Sequence, residues 1–405
     1  MSSDAAVVEQ EGFATESLWQ RLKDNFKAGN LGSWPVILAL WIVVAIFWQT
    51  APNFATPANF TNLITQMAGT CLLAYGVVFV LLIGEIDLSI AFVSGIAGVV
   101  VAKLQEPEPL GPDLVWYLCI AAAILATTAI GALQGSFVAL IGVPSFVVTL
   151  AGFLVWQGVI QLTVPGVVVI QDDMINNSSN YFFSEKYGWI MAAVISIAYV
   201  GGMAISAISN RRHGIAMRDP ALWVLKLVAV PVIAFATVVI LNKDRGVPFA
   251  LLLVVGALVV WTFVAKRTTF GRHVYAVGGN AEAARRAGIN VARIRILVFM
   301  ISGAMAGLGG IVLAARLNSV DTNAGGGTLL IDAIAAAVIG GTSLFGGRGE
   351  VRNALIGAIL ISVISNGMFI LGYSTGTIYV VTGLILLFAV TFDTVVRRRQ
   401  IKAGR

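Results

Sequence analysis

Long apolar stretches separated by short polar segments recur along almost the whole chain. A transmembrane helix needs roughly 20 mostly apolar residues. By this criterion the pattern predicts twelve spans, at residues 34–50, 62–83, 88–104, 114–141, 143–163, 188–209, 221–241, 248–265, 294–315, 329–345, 351–371 and 377–394. We therefore expect an all-α, polytopic membrane protein with about twelve transmembrane helices in a lipid bilayer.

Positive charge is distributed unevenly between the polar joints. If the N-terminus is cytoplasmic, twenty of the 26 lysines and arginines lie in cytoplasmic segments and Lys226 lies inside a span. The five in external segments are Lys103, Lys186, Lys243, Arg245 and Arg316. Cytoplasmic loops of membrane proteins carry an excess of Lys and Arg. This bias predicts that both termini are cytoplasmic.

Composition agrees with a membrane protein and argues against several other classes. Of 405 residues, 58% are hydrophobic and only 11% are charged, whereas soluble domains are about 25% charged. Basic residues in a membrane protein mostly set its orientation in the bilayer. The net charge of +6 therefore gives no reason to expect a nucleic acid partner. The two cysteines, Cys71 and Cys119, lie in apolar runs and imply neither a disulfide nor a metal site. The chain contains no P-loop, H-E-x-x-H or G-x-S-x-G motif, so we expect no cofactor and no enzymatic activity.

The polar ends flank a transmembrane domain at residues 34–396. Residues 1–33 form a polar tail in which Leu18, Leu22 and Phe26 recur at helical spacing. This tail fits either a helix lying on the membrane surface or a disordered segment. Residues 397–405 form a basic cytoplasmic tail.

Two carboxylates interrupt the apolar stretch "LLIGEIDLSIAFVSG" at residues 81–95. On a helix, residues two apart point about 200° away from each other, so Glu85 and Asp87 cannot act as a pair on one face. We expect a break at Gly84, with Asp87 as the N-cap of the span starting at Leu88. Acids near the membrane core face a cavity or a partner. Glu85 is therefore expected to line or brace the cytoplasmic half of a transport pathway.

The basic segment 266–296 contains a short helix signal. Asn280 is a good N-cap, the residues from Ala281 to Ala287 are mostly strong helix formers, and Gly288 suits the left-handed C′ position. Acidic and basic residues lie near the ends that the helix dipole favours. A helix of about seven residues is not stable alone in water. It must dock either on its own protein or on a partner subunit.

Four stretches carry a family resemblance: "GGNAEAARRAGINVARIR", "GEIDLSIA", "VPSFVVTLAG" at 143–152 and "AIAAAVIGGTSLFGGRG" at 333–349. They resemble permease subunits of binding-protein-dependent ABC importers in the ribose/xylose/branched-chain amino acid family. An extra pair of spans near 221–265, joined by "NKDRGVP", is similar to the xylose-type permeases. One departure is Ile90-Ala91, where the family usually has Val-Gly.

The resemblance implies a ten-helix core plus the extra pair, in a bacterial inner membrane. It implies a permease homodimer, a separate cytoplasmic ATP-binding subunit, and a periplasmic binding protein that delivers a sugar, with xylose or a related sugar expected. The missing P-loop agrees with that division of labour. It also implies that segment 266–293 is the loop that couples to the ATPase, through Gly279, Asn280, Glu282, Ala283, Ala284, Arg285, Gly288 and Ile289.

Some expectations concern the pathway and its outer face. "EIDLSIAFVSGIAG" and "LIDAIAAAVIGGTSL" share an Ile-Asp start, which fits either an inverted repeat or chance. The candidate pathway residues are Glu85, Asp87, Ser89 and Asp332.

The polar external loop 164–187 fits either a docking site for the binding protein or a plain connection. The main alternative function is an ion-coupled secondary sugar or amino acid transporter, in which buried acids would be coupling sites.

Overall fold

The computed structural model describes residues 34–107, 109–213 and 220–402; the tail 1–33 and its expected surface helix lie outside this range. Helices dominate the described residues. They are α1 (Trp34–Thr50), α2 (Pro57–Leu82), α3 (Ile90–Leu104), α4 (Trp116–Ser136, continued by a π-helix at Phe137–Ile141), α5 (Ser145–Thr163), α6 (Asp173–Asn180), α7 (Glu185–Arg212), α8 (Pro220–Asn242), α9 (Phe249–Arg267), α10 (Thr269–Gly279), α11 (Ala281–Arg286), α12 (Val291–Leu317), α13 (Leu329–Ile339), α14 (Val351–Ile370) and α15 (Thr375–Lys402).

Eight of these helices are long and apolar enough to cross a membrane, counting only residues that the structure describes: α2, α4, α5, α7, α8, α9, α12 and α14. Shorter apolar helical stretches occupy Pro35–Thr50, Ile90–Leu104, Leu329–Ile339 and Thr375–Thr391. All of them coincide with apolar segments recognised in the sequence. The chain is therefore an all-α, polytopic membrane protein. Helix α15 continues through the first part of the basic tail, to Lys402.

One apolar segment is less helical than expected. The sequence predicts a span at 329–345, but α13 ends at Ile339. Its 11 residues are ~16 Å long at 1.5 Å per residue, about half of a hydrocarbon core of roughly 30 Å. The helix stops because Gly341 adopts a left-handed conformation, with φ +92. Apolar character continues past this residue, so hydropathy alone does not reveal the break.

Within the described part of the chain, four short strands form two small antiparallel sheets. Strand β1 (Val167–Val169) pairs with β4 (Ser319–Asp321), and β2 (Phe182–Phe183) pairs with β3 (Val247–Pro248). Segment 164–187 was expected to be a loop and instead contains β1, β2 and α6. Asp172 caps α6 by accepting the N–H of Met174 at 2.7 Å. The partner strands lie far away in sequence, so local patterns do not predict them.

Helix α2 occupies the centre of the bundle, and 94% of its most apolar 18-residue window is buried. Helices α9, α12, α13 and α14 pack around it, and α12 also packs against α3 and α4. The crossing of α4 and α12 is close because it lacks side chains: a Cβ on Gly131 would overlap the carbonyl oxygen of Phe299, and one on Gly303 that of Thr127. Such small residues let membrane helices approach closely.

Helices α7 and α8 form a peripheral hairpin. Only 11% of an apolar 18-residue window in each helix is buried within the described chain, and each helix packs mainly against the other. Helix α9, which the sequence grouped with α8 as the extra pair of spans, packs instead against α2. At one end of the hairpin the guanidinium of Arg245 lies 4.5 Å above the ring of Phe182.

Candidate translocation and coupling site

Residues 83–89, here called loop A, break the helical path between α2 and α3. Gly84 has φ +76, which glycine adopts without strain, as the sequence predicts. The backbone of Ile86 is held from both sides by α5: its N–H donates to Ser145 Oγ at 3.2 Å, and its carbonyl accepts from Thr149 Oγ1 at 3.2 Å. Loop A is therefore fixed by side chains of a neighbouring helix.

Asp87 is buried in loop A and its carboxylate is fully engaged by hydroxyl and amide donors. Oδ1 accepts from Ser89 N at 3.0 Å and Ser89 Oγ at 2.7 Å, and Oδ2 accepts from Ser302 Oγ on α12 at 2.8 Å. The expected bond to the Ser89 backbone is present. The expected helix start at Leu88 and the expected N-cap role of Asp87 are wrong, because α3 begins at Ile90 and its N-cap is Ser89. Asp87 thus links the approach to α3 with the middle of α12.

Ser89 extends this cluster to α4. Its hydroxyl lies 3.0 Å from Gln134 Oε1, while Gln134 Nε2 is buried and has no partner among the described residues. One hydroxyl proton cannot be donated to both Asp87 and Gln134. Exchanging the amide oxygen and nitrogen of Gln134, which are interchangeable by shape, removes the conflict. Gln134 then donates to Ser89, and Ser89 donates to Asp87.

Glu85 forms an ion pair with α12. Its Oε1 lies 3.2 Å from Nη2 of Arg295, with 14% of the Glu85 side chain and 28% of the Arg295 side chain exposed. The Nε of Arg295 is buried without a hydrogen-bond partner in the described structure. Of the two expected roles for Glu85, lining a pathway or bracing it, this geometry favours bracing.

Asp332 belongs to a separate place in the fold. It lies in the first turn of α13, where Oδ2 accepts from Thr328 Oγ1 at 2.7 Å and Oδ1 is buried without a partner in the described residues. The described bonds do not connect it to the Asp87 cluster. The four candidate pathway residues therefore form one cluster in loop A and one isolated acid.

Helix α11 carries the capping signals that the sequence predicts. Asn280 Oδ1 accepts from Ala283 N at 2.9 Å. At the other end Gly288 has φ +83, its N–H donates to Arg285 O, and Ile289 N donates to Ala284 O, each at 3.0 Å. This pair of bonds is a Schellman motif. Helix α10, which precedes α11, was not expected from the sequence.

The two faces of α11 differ. Ala284 is buried and Ile289 is half-buried, so this side docks on the rest of the chain. The opposite side is exposed, and Glu282 there pairs with Arg285 at 2.8 Å and Arg286 at 3.3 Å. Ion pairs this exposed contribute about 0–1 kcal/mol. The docked face and the caps therefore hold the helix more than its charges do.

Helix α10 ends where loop A meets a glycine-rich loop, residues 340–350, here called loop B. The N–H of Gly347 in loop B donates to Leu82 O, immediately before loop A, at 2.9 Å. Gly278 of α10 lies against both: a Cβ there would overlap Leu82 O and approach Gly347 N to 2.7 Å. We call these contacts the glycine junction. They bring the two loops and α10 into direct backbone contact.

An ion pair between Lys266 and Glu350 connects loop B to α9. Lys266 Nζ lies 2.6 Å from Glu350 Oε1, Glu350 also pairs with Arg352, and Tyr275 Oη of α10 donates to Gly349 O at 2.7 Å. Burial alone would raise the pKa of Glu350, but the hydrogen bond from Lys266 and the charge of Arg352 outweigh it and lower the pKa. Burial and the nearby Glu350 raise the pKa of Tyr275.

Sequence reasoning identified Glu85, Asp87 and α11 but missed the residues that hold them. Arg295 was counted only as a positive charge, and Ser302 and Gln134 were read as parts of apolar spans. The available signal was the presence of a cation and polar side chains inside or beside spans, where polar groups need partners.

Comparison with known proteins places the chain in a family. Residues 59–390 match the family model described as "Branched-chain amino acid transport system / permease component". The xylose transport system permease protein XylH of Escherichia coli strain K12 is 36% identical over 384 residues, 93% of this chain and 95% of that protein. The XylH of Haemophilus influenzae strain KW20 is 34% identical over 377 residues, 91% and 98%.

The ribose import permease protein RbsC of Escherichia coli strain K12 is 31% identical over 357 residues, 88% of this chain and 92% of that protein. No solved structure matches the chain. The apolar helices agree with a multi-pass membrane permease. The chain belongs to the permease family that includes the xylose and ribose permeases, as a membrane transport subunit without an ATPase site of its own.

Proposed function

We propose that the chain is the permease subunit of an ABC importer for a monosaccharide, with xylose or a related sugar as substrate. ATP hydrolysis on a separate cytoplasmic subunit drives transport, and a periplasmic sugar-binding protein delivers the substrate. The proposal is supported by full-length similarity to permeases named for xylose and ribose. It places the chain in a bacterial inner membrane.

The observation that carries the coupling role is the asymmetric docking of α11. Its caps and buried Ala284 fix the helix on the chain, while Glu282, Ala283, Arg285 and Arg286 remain exposed. A helix this short is not stable by itself. Its caps and its buried face hold it in place, so its exposed face is available to contact a partner. We assign the exposed face to the ATP-binding subunit, which would move α11 during hydrolysis.

We further propose that twelve segments cross the bilayer and that both termini are cytoplasmic. Helices α3 and α13, with 15 and 11 residues, are too short alone, and loop A and residues 340–345 of loop B complete their crossings. Irregular backbone is tolerated at membrane depth where it is buried in protein. Loop A meets this condition, since Asp87 and Ser89 are buried and hydrogen-bonded.

Two copies of the permease would enclose the sugar route. The polar atoms of Asp87 bond to Ser89 and Ser302, and Glu85 pairs with Arg295. These acids are thus bound by protein side chains, which supports a bracing role for them beside a route that we assign to the interface of two copies. In this arrangement the ordered segment 164–187, held by the β1–β4 and β2–β3 sheets, would face the binding protein.

Reconstitution tests the function directly. The permease, its ATP-binding subunit and the binding protein are incorporated into proteoliposomes, and uptake of labelled xylose, ribose and leucine is measured. We expect uptake of xylose that requires both ATP and the binding protein, with two permease chains per complex. Uptake driven by a proton or sodium gradient without ATP would instead support the ion-coupled carrier.

A further inference from the structure

Two ion pairs, one partly buried and one more exposed, flank the coupling segment, defined here as residues 268–290 with α10 and α11. Lys266 lies just before it and pairs with Glu350 of loop B; Arg295 lies just after it and pairs with Glu85 of loop A. We infer that these pairs are two charged arms through which movement of the coupling segment displaces both loops and opens the cytoplasmic end of the sugar route. This inference rests on the proposed function and deepens it.

The first arm is joined to α11 by very little chain. Only Ala287 to Asn290 separate α11 from α12, and Ile289 N bonds back to Ala284 O. Asn290 then caps α12 by accepting Arg293 N at 2.9 Å. Arg295 lies in the first two turns of α12, so displacement of α11 reaches its guanidinium without a flexible linker. Glu85 carries that displacement into loop A.

The second arm is equally direct. Thr268 caps α10 by accepting Gly271 N at 3.1 Å, and its own hydroxyl donates to Val264 O of α9 at 2.6 Å. The end of α9, with Lys266, is thereby fixed to the start of α10. Glu350 stands immediately before α14. The pair therefore connects the beginning of the coupling segment to loop B.

The two arms converge because the loops touch each other. Gly347 N donates to Leu82 O, and Gly278 of α10 fills the corner between them. A shift of the coupling segment therefore acts on the junction at three points: through Arg295, through Lys266 and through Gly278. Loop A also carries Asp87, whose bond to Ser302 extends the linkage towards the middle of α12.

The burial of the first arm distinguishes it from ordinary surface pairs. The side chains of Glu85 and Arg295 are 14% and 28% exposed, whereas those of Glu282 and Arg285 on α11 are 55% and 64% exposed. Solvent screens the exposed pairs strongly, and partly buried charges are screened much less. The Nε of Arg295 is buried and has no partner among the described residues, so it is available for an alternative bond when α12 shifts.

The test measures sugar imported per ATP hydrolysed in proteoliposomes that hold the complete complex. Glu85→Gln and Arg295→Gln remove the first arm, and Glu350→Gln removes the second. The matched control is Glu106→Gln. It breaks the Lys103–Glu106 pair, whose side chains are 29% and 15% exposed, nearly the same as the first arm, but which lies outside both loops and the coupling segment.

We expect each arm variant to keep hydrolysing ATP while the import-to-hydrolysis ratio falls about tenfold, a typical coupling effect. The double variant Glu85→Gln/Arg295→Gln should be no worse than either single variant, because the two residues act as one unit. Arg295→Lys should recover part of the ratio, and Glu106→Gln should leave it unchanged. If Glu85→Gln fails to insert, Arg295→Gln supplies the same measurement.

Unchanged ratios in all arm variants would overturn the inference. So would a fall in ATP hydrolysis and import in equal proportion, which indicates lost assembly rather than lost coupling. Failure of the proposed function has a different signature: the unaltered complex would hydrolyse ATP without importing any of the tested sugars, and both proposals would then be rejected.

Discussion

The hydroxyl of Ser302 on α12 donates to Oδ2 of Asp87 in loop A at 2.8 Å, across 215 residues of sequence. The contact joins the irregular backbone before α3 to α12, which packs against α2, α3 and α4. A buried carboxylate is costly unless its oxygens are bonded, and here both are. The loop and the helix therefore stabilise each other's position.

Replacing Asp87 tests that linkage. Asp87→Asn keeps an oxygen for the Ser89 donors, and its amide can donate to Ser302 if that hydroxyl rotates. We expect near-normal thermal stability and transport. Asp87→Ala leaves the buried hydroxyls of Ser89 and Ser302 with fewer partners, which costs about 1–3 kcal/mol. Thermal unfolding in detergent measures the difference, and equal midpoints for the two variants would contradict it.

Two proline substitutions in α11 test whether this helix transmits the movement of the ATPase. Ala284 N donates to Asn280 O at 2.9 Å, so Ala284→Pro removes a helix bond and should abolish transport while the protein still inserts. Ala281→Pro is the matched control, because proline is tolerated at the first helical position. Normal uptake by Ala284→Pro with the ATPase present would refute the coupling role.

Neighbouring glycines at the end of α10 provide a matched pair. A Cβ on Gly278 overlaps the backbone at Leu82, whereas one on Gly279 meets nothing within 4 Å. Gly278→Ala should therefore cost about 1–3 kcal/mol of overpacking and lower sugar uptake, and Gly279→Ala should do neither. Uptake and thermal unfolding of the two variants are compared directly, and indistinguishable results would remove the glycine junction from the mechanism.

Membrane orientation is tested by reporter fusions. The charge bias predicts an external reporter after Lys186, Arg245 and Asn323, and a cytoplasmic reporter after Arg212 and Arg286. Alkaline phosphatase, active only outside, and a fluorescent protein, active only inside, give complementary signals at each site. A reversed signal at two of the five sites would reject the proposed orientation.

Glu350 predicts a pH dependence of stability. Its pKa in the folded protein is lowered from 4.5, so its ionised form stabilises the fold above that value, and the contribution is lost as the pH falls through the lowered pKa. Between about pH 6 and 3, the unfolding midpoint should fall more steeply for the native chain than for Glu350→Gln. Parallel curves would show that the bonds from Lys266 and Arg352 do not stabilise the charge.

Helix α11 shows what could be recognised without coordinates. Its N-cap, its C′ glycine and the order of its charges all lie within a few residues of one another, and each acts through a local backbone bond. The helix observed at Ala281–Arg286, with Asn280 before it and Gly288 after it, follows that pattern. Its buried face was beyond prediction, because which side docks depends on helices distant in sequence.

The Asp87 cluster shows the opposite case. A break at Gly84 and a bond from the Ser89 backbone to Asp87 were foreseen from local chemistry. The N-cap role was wrong, and the partners Gln134 and Ser302 come from α4 and α12. Nothing near Asp87 in sequence indicates Ser302 or Gln134, since hydroxyl and amide side chains inside spans have many potential partners. The Glu85–Arg295 pair could not be predicted either, because its two residues lie in distant segments that only tertiary packing brings together.

The sequence by itself determined that this is a multi-span membrane protein, where its apolar segments lie, and that a capped helix stands in its longest basic segment. Hydropathy, charge bias and capping decide these features because each acts over one helix or one turn. Tertiary structure decided where α13 stops, that segment 164–187 contains strands, and that loops A and B meet at Gly278. Those features depend on backbone and side-chain contacts between distant segments, and a linear pattern does not encode which distant groups will be neighbours.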